Sequence, residues 1–198
     1  MLSLRKIAVT GGIASGKTTV CRLLKKHGAY QVSADDIIHQ LLEKNAECKR
    51  HVIDLLGPDI LSGDKIDRTK VASLVFSDPE KLQKLENLLH PLLLSKIEEE
   101  YRQVEHDKRY CCFVAEVPLI QEIGKEKEFD LILAIISDEK TAKERFIAAG
   151  FSKQEYDRRM KRQWDIQKKA EQADFTITND GDIAHLENQV KEFIHTLI

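Results

Sequence analysis

The sequence predicts an α/β fold of three layers: one five-stranded parallel sheet, helices on both faces, and a helical insertion between the two halves of the sheet. Three observations carry this. Short apolar runs alternate with segments of helical period at both ends of the chain. The runs 111–117 and 129–136 lack polar alternation, as expected of parallel strands buried on both faces. Between about Asn45 and Lys108 the apolar spacing is helical and no strong strand appears.

The elements follow in order. Lys6 to Thr10 reads as a buried strand, ended by Gly11 and Gly12. A helix from Lys17 to His27 carries Val20, Leu23 and Leu24 on one face, with Gly28 placed to cap it. Tyr30 to Val32 is a second strand, and Ser33 or Asp35 can cap the helix that follows. In the middle, Asp67 and Ser77-Asp78-Pro79 mark helix starts, and His90-Pro91 predicts a kink or break in the leucine-rich segment after Pro79. Strands return at 111–117 and 129–136. Asp138 opens a helix towards Ala149, a basic helix is expected from about Ser152 to Ala173, and Phe175 to Thr178 is the last strand. Asn179-Asp180-Gly181 is a turn, and Asp182 caps the final helix. The expected division is a core of residues 1–44 and 109–198 and an insertion of 45–108.

Composition bounds the function. The chain has 198 residues, 42% of them hydrophobic, enough for one core and too many for a disordered chain. Lys and Arg number 31 against 33 Asp and Glu, so no global charge attracts nucleic acid and any bound anion needs a local arrangement. No apolar run approaches the ~18 residues of a membrane span, and no secretory h-region precedes the first strand. Cys21, Cys48, Cys111 and Cys112 have neither zinc spacing nor a nearby His pattern, so they are expected to be reduced and mostly buried. The expected setting is the cytoplasm, without membrane or nucleic-acid partners.

The motif with chemical content is Gly-Gly-Ile-Ala-Ser-Gly-Lys-Thr at 11–18, which fits G-x-x-x-x-G-K-[ST] between a strand and a helix. Backbone N–H groups of Gly11, Gly12, Ile13, Ala14, Ser15, Gly16, Lys17, Thr18 and Thr19 can surround a phosphate at the positive end of a helix. Lys17 would reach the β- and γ-phosphates of ATP, and Thr18 would offer its hydroxyl to Mg²⁺. The fold class is therefore of the P-loop NTPase type. No Asn-Lys-x-Asp base-reading motif of a GTPase is present, and the strand at 111–117 ends Glu116-Val117-Pro118 instead of the Asp-Glu of motor ATPases. That layout suits a kinase that encloses a small acceptor and excludes water.

The residues then resemble one family. Val9 to Thr19, Ser33-Ala34-Asp35, Asp67-Arg68, Val75-Phe76, Pro79, Leu89-His90-Pro91-Leu92, Val117-Pro118-Leu119-Ile120 with Glu122, and Ala173-Asp174 with Asn179 and Gly181 look like dephospho-CoA kinase, in order along nearly the whole chain. The resemblance implies transfer of the ATP γ-phosphate to the ribose 3′-hydroxyl of dephospho-CoA, giving CoA and ADP. It also implies a helical substrate domain, a lid at about 144–165, and ATP and Mg²⁺ as cofactors. A monomer is the expected state, with an oligomer left open. Asp35 matches the catalytic acid of the family, with Lys17 and Arg145 beside it in catalysis. Glu116 is placed as a Mg²⁺ ligand through water with Thr18, Arg68 and His90 as substrate contacts, and Asn179 and Gly181 beside the adenine.

Each of these residues also suits a structural role: a helix N-cap for Asp35, a strand-end carboxylate for Glu116, a helix-start ion pair for Arg68, packing for His90, a turn for Asn179 and Gly181. Three positions depart from the family pattern. Ala14 stands where Gly is usual, which requires a negative φ there. Ser33 stands where Asp is frequent. Ala149 stands where a second lid arginine is usual, leaving Arg158, Arg159, Lys161 or Arg162 to supply that charge. The other readings are a related kinase of another nucleoside or nucleotide, and a nucleotide-dependent binding module without phosphotransfer.

Overall fold

The computed structural model describes residues 3–161 and 163–197. Five strands form one parallel sheet: β1 (Lys6–Gly11), β2 (Tyr30–Ser33), β5 (Phe113–Glu116), β6 (Leu131–Ile136) and β7 (Phe175–Thr178). Their order is β2-β5-β1-β6-β7, and every neighbouring pair is parallel. The apolar runs of β1, β5 and β6 thus lie in the middle of the sheet, where both faces are covered. Helices α1 (Lys17–Lys26) and α9 (Ile183–His195) pack on one face, burying Val20, Leu24, Leu186, Val190 and Phe193 against Ile7, Val114 and Leu133. Helices α6 (Glu139–Ala148), α7 (Lys153–Met160) and α8 (Ile166–Glu171) lie between β6 and β7 in the chain.

The backbone divides into two compact units. One holds the sheet and takes in the chain up to Ser33 and from Tyr101 onward; the other is Ala34–Glu100. The second unit contains α2 (Ala34–Lys44), α3 (Ala46–Leu56), α4 (Arg68–Phe76) and most of α5 (Pro79–Val104). It therefore begins at α2, earlier than residue 45. Its core is Leu42, Val52, Leu56, Ile60, Val71, Val75, Leu85 and Leu89. No helix among the described residues is long and apolar enough to cross a membrane.

Three local features differ from the pattern the sequence displays. A short antiparallel hairpin, β3 (Leu61–Ser62) with β4 (Lys65–Ile66), forms where the sequence shows a Ser62-Gly63-Asp64 turn but no strong strand, turning at Gly63 with φ +60°. Two-residue strands leave no periodicity to read. Second, of the kink or break expected at His90-Pro91 the break does not occur, and α5 continues through Pro91. Proline removes one N–H and costs roughly 3 kcal/mol within a helix. The continuous helix sets Leu85, Leu89, Leu93 and Ile97 on one buried stripe, each worth roughly 1.5–3 kcal/mol. Third, the basic helix expected over 152–173 is two helices. A capping box of Ser152 and Glu155 starts α7. Asp165 accepts from the N–H groups of Gln167 and Lys168 and starts α8 afresh.

Candidate active site

The loop after β1 is shaped by contacts that only glycine allows. At Gly11, with φ +138°, a Cβ would stand 2.0 Å from the carbonyl oxygen of Ile135 on β6. At Gly16, with φ +95°, a Cβ would stand 2.2 Å from Asn179 Nδ2. Gly16 caps α1, whose first turn has no acidic residue to neutralise its positive end. We expect Gly16→Ala to lose about 2–3 kcal/mol in urea unfolding. A left-handed alanine costs roughly 1–2 kcal/mol, and displacing Asn179 breaks a buried hydrogen bond worth about 1 kcal/mol.

Ala14 overturns the expectation attached to it. Its φ is +53°, and it is the only non-glycine with positive φ among the described residues. The loop curvature wins because Ala14, with Ile13, packs against Ala142 and Phe146 of α6 and Tyr156 of α7. The strain, about 1–2 kcal/mol, is thus held in place by apolar contact with the helices beyond β6.

The polar groups converge on this loop. The Lys17 ammonium donates to the carbonyls of Gly12 at 2.6 Å and Gly11 at 3.3 Å. The Thr18 hydroxyl donates to Glu116 Oε1 at 2.8 Å. Glu116 ends β5, in register with Val9 on β1 and Ser33 on β2. Below it on α1, the Cys21 thiol is fully buried and its pKa is pushed well up, first by burial and then by the Glu116 carboxylate. Ser15 is also buried, and its hydroxyl has no hydrogen-bond partner.

Asn179 is buried at the end of β7 and donates from Nδ2 to the Ser15 carbonyl at 2.8 Å. Its own carbonyl accepts from Arg145 Nη1 at 2.9 Å. Arg145 and Asn179 therefore brace the loop from α6. Gly181 lies in the turn that follows, where a Cβ would come within 3.0 Å of His185. Of the basic residues expected to replace the lid arginine, Arg159 stacks over Phe146 and Phe151 and pairs with Glu155 at 3.7 Å. Arg158 and Lys161 are exposed, and Arg162 lies outside the described residues.

Asp35, Arg68 and His90 fall in the helical unit, not in the sheet unit. Asp35 is exposed in the first turn of α2, two residues along the chain from Ser33. Arg68 is the exposed first residue of α4, beside the Asp67 cap. His90 is half-buried in α5; burial lowers its pKa, and Glu86 partly opposes this.

Sequence reasoning missed the polar cluster under the loop. Lys169 of α8 is fully buried, with its ammonium 2.8 Å from Glu122 Oε1, 2.7 Å from the Pro118 carbonyl and 3.2 Å from the Thr10 hydroxyl. Glu122 also accepts the Trp164 N–H at 2.9 Å, and Gln121 donates to the Lys169 carbonyl at 3.0 Å. Glu122 had stood out only as part of the Val-Pro-Leu segment. Lys169 lay within a run dense in Lys and Arg, where composition marks no single residue.

The loop's chemistry suits an anion: it combines a glycine-rich turn, a lysine, the N-terminus of α1 with no acid in its first turn, and the buried, unpartnered Ser15 hydroxyl. The Thr18 and Glu116 oxygens suit a hard divalent cation that keeps its waters and is completed by phosphate. Among the described residues no group of three or more acidic, His or Cys side chains forms a protein-only metal cage.

The family model described as dephospho-CoA kinase matches residues 5–185. The chain belongs to the dephospho-CoA kinase family. A relative named dephospho-CoA kinase from Protochlamydia amoebophila (strain UWE25) is 39% identical over 199 residues, covering 100% of this chain and 98% of its own length. A solved structure titled TT1252 from Thermus thermophilus matches with TM-score 0.82 at 29% identity, covering 97% of each chain. The dephospho-CoA kinase from Campylobacter jejuni matches with TM-score 0.70 at 29% identity over 96% of each chain. The chain is thus a kinase with the α/β fold of P-loop kinases.

Proposed function

We propose that this kinase transfers the γ-phosphate of ATP to the ribose 3′-hydroxyl of dephospho-CoA, giving CoA and ADP. The observation that carries the reading is the 2.8 Å pair of Thr18 and Glu116 beside Lys17, within the glycine cradle of a chain of this family. Backbone N–H groups from Gly12 to Thr19 bind the triphosphate, and Lys17 turns from the Gly11 and Gly12 carbonyls to its outer oxygens. Thr18 and Glu116 would hold Mg²⁺. The ion, when bound, offsets charge on the phosphates. Arg145, braced on Asn179, adds positive charge on the α6 side, while Asn179 and Gly181 border the adenine.

Asp35 orients the acceptor hydroxyl and takes its proton. With a loose transition state, placement of the two oxygens matters more than the strength of the base. Arg68 and His90 contact dephospho-CoA in the helical unit, and residues 144–165 act as the lid. The four free cysteines support a reducing compartment, the cytoplasm. The working state we propose is a monomer.

Purified protein with ATP, dephospho-CoA and Mg²⁺ should form CoA, and AMP or uridine in place of dephospho-CoA should turn over far more slowly. No CoA formation across metals and pH would refute the reading. Asp35→Asn should leave ATP affinity within about twofold and lower kcat roughly 10²–10⁴-fold, the range of a general base. Unchanged kcat would remove Asp35 from the chemistry.

A further inference from the structure

Away from the phosphate loop, at the start of β5, Cys111 and Cys112 place their sulfurs 3.8 Å apart. Cys112 is fully buried, while Cys111 is partly exposed. The Cys111 N–H donates to the Gly28 carbonyl at 3.0 Å and its thiol donates to the His27 carbonyl at 3.6 Å, so the side chain is held at the turn between α1 and β2 until the thiol gives up that proton. We infer that Cys111 is a modification site: it takes a thiol group from low-molecular-weight disulfides, and Cys112 serves as its hydrogen-bond donor.

The chemistry follows from the pair. A thiolate is the attacking species. The hydrogen bond from Cys112 brings the Cys111 thiol down to about 7 against the opposing effect of burial. The same hydrogen bond, then burial, pushes Cys112 up, so the inner thiol keeps its proton. The Cys111 thiolate attacks one sulfur of R–S–S–R. The S–S bond breaks, a Cys111–S–S–R bond forms, and R–S⁻ leaves and takes up the proton that Cys111 released. Displacement of R–S⁻ by Cys112 is disfavoured twice. Its thiol is protonated and buried, and adjacent Cα atoms lie only about 3.8 Å apart, below the ~4.4 Å at which unstrained disulfides begin. The mixed disulfide therefore persists. Cys21 and Cys48 are both buried, with thiols that burial pushes up, and they do not compete.

The test is peptide-resolved mass spectrometry of the folded protein with oxidised glutathione over time. Cys111 is expected to carry the first glutathionyl group, at least about tenfold faster than Cys21 or Cys48. Cys111→Ser is expected to abolish that fast adduct, and Cys112→Ala to slow it about threefold or more, with folding of both variants checked by circular dichroism. Equal labelling of Cys21 or Cys48, or a fast adduct that survives Cys111→Ser, overturns the site. Conversion of the pair to an internal Cys111–Cys112 disulfide overturns the persistent adduct. An undiminished rate in folded Cys112→Ala removes the donor role of Cys112.

Discussion

Lys17→Ala is expected to lower kcat for CoA formation roughly 10²–10³-fold, the loss seen when one preorganised charge-stabilising donor is removed. Lys17 bears the only cationic side chain within the 11–18 loop, and it donates to the loop's own carbonyls at 2.6 and 3.3 Å. In the proposed mechanism Lys17 turns to the transferring phosphate, where charge is spread over the phosphoryl oxygens in the transition state. The helix end and backbone N–H groups remain in the variant, so ATP affinity should fall less than kcat. Lys17→Arg should not restore the rate, because a planar fork does not occupy the place of a compact ammonium. Steady-state kinetics with ATP titration, together with a nucleotide-binding isotherm, separates the two effects. A kcat within threefold of the parent protein would exclude Lys17 from transition-state stabilisation.

Lys169→Met is expected to destabilise the fold by about 3–5 kcal/mol, the usual result of removing one partner of a buried ion pair. The Glu122 carboxylate would stay buried, keeping the Trp164 N–H but losing its cation, while Oε2 already has no partner. The Pro118 carbonyl and Thr10 hydroxyl would lose their donor as well. The double variant Glu122→Gln with Lys169→Met should cost less than the sum of the single changes, because it leaves no lone buried charge. Urea unfolding of all four proteins measures the coupling, and strict additivity would mean that the two side chains act independently. Burial lowers the Lys169 pKa, with Glu122 opposing. The unfolded chain therefore binds more protons between the depressed and the ordinary lysine pKa, so this residue's contribution to stability increases as pH rises through that alkaline interval.

Both experiments probe groups that differ in how visible they are in a linear chain. Lys17 is legible because its chemistry depends on local spacing: two glycines, a lysine and a threonine between a strand and a helix. Glu116 is legible by its place at the end of an apolar strand, and the structure puts it 2.8 Å from Thr18. Lys169 is not legible, since only the packing of α8 beside β1 and β6 removes it from water. Asn179 reads as an adenine neighbour or a turn residue, and neither reading shows that its amide braces the Ser15 carbonyl from far along the chain. The negative φ expected at Ala14 fails for a related reason: a local rule about methyl groups is overridden by packing against Phe146 and Tyr156.

By itself, the chain's pattern of apolar periods, glycines and caps determined the main succession of strands and helices, the five strands of the sheet and the phosphate loop, because these depend on neighbours within a few residues. Only the tertiary structure decided the strand order β2-β5-β1-β6-β7, the passage of α5 through Pro91, the break between α7 and α8, and the burial of Lys169. Each of these is set by contacts between residues distant in the chain, whose energies exceed the local preferences of a few tenths to about 3 kcal/mol that a sequence displays.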